Sequence, residues 1–137
     1  MDSQFSPRIK DIIGYSREEA IRLGNDYIGQ EHLFLGILRD GEGIATDILE
    51  NLGIVLSEMK DLIEKKIRTD RAIDQKADIV MLKSTEKTLK LVYLEARSFK
   101  SQTVNSGHLL LAILKDNENI VTQLLVEYGV NYYMVRT

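Results

Sequence analysis

The chain contains no cysteine, which excludes a disulfide framework, thiolate metal ligation and thiol catalysis, and agrees with a reducing cytosol. Proline occurs once, at Pro7, and alternating β-branched runs are missing, so helices rather than strands are expected. No apolar run approaches the roughly 20 residues needed to cross a bilayer. The N-terminus, Met1-Asp2-Ser3-Gln4-Phe5, lacks the basic-then-apolar order of a signal peptide. A cytoplasmic protein with no membrane partner is therefore expected. Positive charge is not in excess either: 18 Lys and Arg face 21 Asp and Glu, a net charge of −3. Acids and bases alternate, as in Lys60-Asp61 and Glu64-Lys65-Lys66, so no basic face is available for nucleic acid.

What is present is a repeat. Glu31-His32-Leu33-Phe34-Leu35-Gly36-Ile37-Leu38-Arg39-Asp40 reads like Gly107-His108-Leu109-Leu110-Leu111-Ala112-Ile113-Leu114-Lys115-Asp116, 76 residues later. The same ungapped offset pairs Glu19-Ala20 with Glu95-Ala96, Ile44 with Ile120, Leu49 with Leu125 and Gly53 with Gly129. A duplicated unit explains one constant register over some fifty positions better than chance does. Each unit parses into helices by its apolar spacing. In the first they are expected at about Ser6–Leu23, Gln30–Arg39, Ile44–Asn51 and Ser57–Arg68, with Ser57 as the cap of the fourth. In the second they are expected near Leu82–Lys100, Ser106–Lys115 and Glu118–Tyr128, with a last helix starting near Tyr132 and cut short by the end of the sequence. The second helix has little polar face and should be the most buried. The small pair Gly36 and Ala112 suggests a close helix crossing there. The glycines Gly24, Gly41, Gly53 and Gly129 fit helix stops. The fold expected is all-α: two tandem four-helix repeats related by a pseudo-two-fold, residues 1–68 and 81–137, joined by a polar, solvated linker at 69–80, in a single compact domain.

Catalytic chemistry is hard to find. His32 and His108 are the only histidines, and both open a helix. Zinc needs three or four ligands, and neither has a companion at ligand spacing, so each is read as tying down a helix start. Glu18-Glu19 and Glu95 are read as solvated helix faces. Gly41-Glu42-Gly43 lacks the Gly-Lys-Ser/Thr ending of a phosphate loop and is read as a turn. No metal site, cofactor site or catalytic residue is expected in this chain.

Phe5-Ser6-Pro7-Arg8, Ala20-Ile21-Arg22-Leu23-Gly24, Tyr27-Ile28-Gly29-Gln30-Glu31-His32-Leu33 and Gly41-Glu42-Gly43 together resemble the Clp N-terminal repeat of AAA+ Clp unfoldases, most closely the ClpC/ClpA branch. The resemblance implies a non-catalytic domain that recognises substrate proteins and adaptor proteins for an ATP-driven unfoldase. The isolated domain would be a monomer, and the parent a hexamer with a ClpP-like peptidase. ATP and Mg would belong to modules outside this chain. A stand-alone Clp-repeat adaptor or stress protein is the alternative. The resemblance further implies a phosphoarginine site, carried here by Ser6 and Glu31, with Leu82 and Gly107 at the corresponding positions of the second unit. It also implies an apolar groove near the starts of the first helices, carried by Phe5 and Met81.

Overall fold

The computed structural model describes residues 7–100 and 104–136. Eight helices lie within them: α1 Pro7–Arg22, α2 Gln30–Asp40, α3 Ile44–Asn51, α4 Leu56–Ile67, α5 Lys83–Ser98, α6 Ser106–Leu114, α7 Ile120–Glu127 and α8 Tyr132–Arg136. Every helix start in the second set falls 76 residues after its partner, from Pro7 and Lys83 to Leu56 and Tyr132.

The core explains the packing order. From His32 to Ile37 every residue of α2 is buried, and α6 is buried from Ser106 to Leu114. α2 lies across α1 and α6 across α5. Gly36 sits where α1 and α2 touch. A Cβ there would come within 2.6 Å of the Ile12 carbonyl oxygen and 2.7 Å of Ser16 Oγ. The hydrogen on Gly36 thus sets the helix separation. Helix stops are left-handed where the spacing expects them, with φ of +79° at Gly24, +72° at Gly41, +88° at Gly53 and +85° at Gly129.

The units are joined crosswise. α3 packs on α6, and α7 packs on α2. Polar side chains tie both seams. Ser106 Oγ accepts the Ala45 N–H at 3.1 Å, while Gln30 donates to Asp116 at 2.8 Å and accepts from Asn119 Nδ2 at 2.6 Å.

Three expectations need correction. The fourth helix starts at Leu56, with Val55 rather than Ser57 at the cap position and no side-chain cap. Leu56 packs against the core, and that burial draws the helix start back by one residue. Strands do occur: β1 Tyr27–Ile28 and β2 Val80–Met81 pair in parallel, Ile28 opposite Met81. Two residues per strand are too few to show an alternating pattern. The linker between the units is mostly exposed and is held by hydrogen bonds. Thr69 N–H donates to the Leu23 carbonyl, and Arg17 donates to the Gln75 and Ala77 carbonyls at 2.8 and 2.6 Å. Finally, Glu19 and Glu95 are buried, not solvated. Glu19 pairs with Arg22 at 2.9 Å and Arg39 at 3.5 Å. Glu95 accepts the Tyr132 hydroxyl at 2.8 Å and pairs with Lys115, the repeat partner of Arg39, at 3.3 Å.

Candidate functional site

The two helix starts that carry histidine are built alike. His32 Nδ1 accepts the Gly29 N–H at 2.8 Å, and its Nε2–H therefore donates to Asn25 Oδ1 at 2.7 Å. Asn25 in turn donates to the Ile67 carbonyl, so one buried imidazole links the start of α2 to the end of α4. Burial pushes the His32 imidazole down to about 4, opposed by the charge of Glu19. His108 Nδ1 accepts the Asn105 N–H at 3.1 Å, while Asn105 Oδ1 caps the Gly107 and His108 N–H groups. Burial lowers His108 as well, against the charge of Glu95. Both rings are structural acceptors, and no group of three possible metal ligands lies among the described residues.

Glu31, the residue before His32, is half-buried with its carboxyl folded toward Gly29. Burial raises its pKa above the usual carboxylate range, only partly offset by its own backbone N–H. It lines a cleft of about 330 Å³ with Leu82 and Ser84 at the start of the second unit's first helix, and with Asp116, Glu118 and Asn119. The β1–β2 pairing causes this exchange: the Leu82 N–H donates to the Ile28 carbonyl at 3.0 Å, which brings the start of α5 to the start of α2. Three carboxyls and, among the described residues, no cation line that cleft, so it suits a cationic group. Ser6 and Phe5 lie outside the described residues. Met81 is half-buried in β2.

A larger, apolar cleft lies elsewhere. It holds about 630 Å³ between α3, α6 and α8, lined chiefly by Ile44, Ile48, Leu52, Phe99, Leu111 and Met134. Ile44, Phe99 and Met134 are exposed by 47%, 43% and 40%. Met81 is not among its lining residues. The spacing argument missed this groove, although one signal was there. Gly107 stands where the repeat has Glu31, and loss of that side chain opens the helix start to Ile44, which a Cβ on Gly107 would meet at 2.9 Å.

The model of the Clp repeat (R) N-terminal domain matches residues 4–128. The chain belongs to this Clp N-domain family. Among its relatives, the chaperone protein ClpB of Oceanobacillus iheyensis is 33% identical over 99% of this chain. The negative regulator of genetic competence ClpC/MecB of Bacillus subtilis is 31% identical, also over 99%. The chain spans only 17% and 16% of those two proteins. Among solved structures, the N-terminal domain of the chaperone ClpD from Arabidopsis thaliana superposes with a TM-score of 0.75 at 17% identity, covering 98% of this chain and 90% of that one. A ClpV N-domain in complex with a VipB peptide gives a TM-score of 0.79 at 14% identity, covering 98% and 83%. The described residues are mostly helical, and the family resemblance stands over residues 4–128.

Proposed function

We propose that this Clp N-domain is the substrate- and adaptor-recognition module of a Clp-type unfoldase, itself non-catalytic. The observation that carries the reading is an open apolar groove on a domain whose buried polar side chains, among the described residues, are all hydrogen-bonded. Buried histidines and carboxylates that are already satisfied stabilise a fold and leave nothing poised for chemistry. An exposed apolar patch on such a domain marks a protein-binding surface. The ClpV N-domain bound to a peptide supports the same use of the fold.

The parent chain works in the cytoplasm as a hexamer, holds ATP and Mg outside this domain, and passes clients to a ClpP-like peptidase. Glu31 is the acceptor for a guanidinium, such as that of a phosphoarginine tag. The phosphate would depend on Ser6, because no cation among the described residues lines the Glu31 cleft.

The test is capture of a model client by the full-length protein, with and without residues 1–137. Loss of capture with unchanged ATP turnover is expected on removal. Unchanged capture would refute the reading.

A further inference from the structure

We propose that the groove between α3, α6 and α8 takes an apolar peptide segment bearing a carboxylate, one segment per chain, with Arg136 meeting the carboxylate. This rests on the recognition reading and names the chemistry recognised. A volume near 630 Å³ falls within the range of about 300–1,000 Å³ typical of binding clefts. An amphipathic helix or extended strand could lay a few large side chains into it.

The charge pattern selects the partner. Among the described residues no Asp or Glu lines the groove, and with His108 held neutral Arg136 is the one charged residue among them that does. Its guanidinium lies over the Phe99 ring, 5.0 Å from the centroid, and donates to the Tyr132 hydroxyl at 3.3 Å. It takes part in none of the ion pairs among the described residues. A cation steadied by an aromatic face, outside those ion pairs and at the rim of an apolar groove, favours an incoming acid.

The limit of one segment per chain follows from the repeat. Where the groove has Gly107, the first unit has Glu31, facing a cleft that also holds Asp116 and Glu118. A carboxylate-bearing segment is repelled there.

The probes are fluorescein-labelled peptides of about 12 residues, with leucines on one helical face and one glutamate, glutamine or lysine at the end of that face. Each is titrated by anisotropy against the chain, Arg136→Gln and Ile44→Glu, with circular dichroism to verify folding. The glutamate peptide is expected to bind one to one, about threefold or more tighter than the glutamine peptide, with lysine weakest. Arg136→Gln should erase the ranking, and Ile44→Glu should abolish glutamate-peptide binding. Equal binding of all three peptides, or an unchanged ranking in Arg136→Gln, overturns the carboxylate assignment and leaves the recognition reading standing. Binding that survives Ile44→Glu overturns the groove. Failure of every peptide to bind overturns the proposal, and the client-capture experiment then decides the broader reading.

Discussion

Lowering the pH from about 7.5 to about 5 is expected to cost this domain about 2 kcal/mol through His32 alone. The imidazole is fully buried and titrates near 4, against an ordinary value of 6.5. Above about pH 6.5 it is neutral in both folded and unfolded chains and contributes no pH dependence. Between 6.5 and 4 the unfolded chain takes up a proton that the folded chain refuses, so stability falls as the pH falls. The full loss, below pH 4, is about 3 kcal/mol at 1.36 kcal/mol per pKa unit. The geometry gives the cause: a proton on Nδ1 removes the acceptor for the Gly29 N–H and places a charge among buried groups. His108 acts in the same direction. For Glu64, burial acts to raise the carboxyl, but Arg22, Arg68 and the charge of Lys60 together lower it, so it too favours higher pH. Urea unfolding of the native chain and of His32→Asn, at both pH values, isolates the His32 share. Asn keeps an acceptor for the Gly29 N–H and does not titrate. The native chain should lose about 2 kcal/mol more than the variant on acidification. Equal losses would refute the reasoning, as would a ring-proton titration that places His32 above pH 6.

Gly36→Ala should destabilise by about 1–3 kcal/mol in thermal melts, despite alanine's better helix propensity, because the new Cβ meets the Ile12 carbonyl. Glu19→Ala should cost about 1–2 kcal/mol by urea titration. That is less than for a wholly buried pair, because Arg22 and Arg39 are each 40% exposed and can turn to water. Asn119→Ala removes the cap on Thr122, the donor contact to Gln30 across the unit seam and those to the Ile113 and Asp116 carbonyls within its own unit, and should cost about 1–2 kcal/mol. Arg17→Ala should speed amide exchange across residues 75–81 while moving the melting temperature little, since the carbonyls it holds are largely at the surface.

Much of this architecture could be read from the residues. The offset that aligns His32 with His108 also sets every helix start, since both copies keep the same apolar spacing and the same glycine stops. The role of the histidines was legible because a polar ring at a buried helix start has few other uses. Glu19 was misread for a definite reason. Within α1 it looks like one of two surface acids, and the Arg39 that helps bury it comes from α2. Glu95 was misread likewise, because its partners Lys115 and Tyr132 lie in later segments. The β1–β2 pairing escaped notice because it is two residues long, yet it brings Glu31 to the start of the other unit's first helix. The groove escaped because it is made by an absence, the side chain that Gly107 does not have.

The central claim is that the apolar groove is where partner proteins bind, and crosslinking tests it most directly. A photoreactive phenylalanine analogue at Ile44 of the full-length protein, inside the groove, is compared with one at exposed Asp61, outside it. The account expects client or adaptor peptides in the crosslinks from position 44 and few from position 61. Equal yields from both positions, or crosslinks from position 44 only to the protein's own chain, would contradict it.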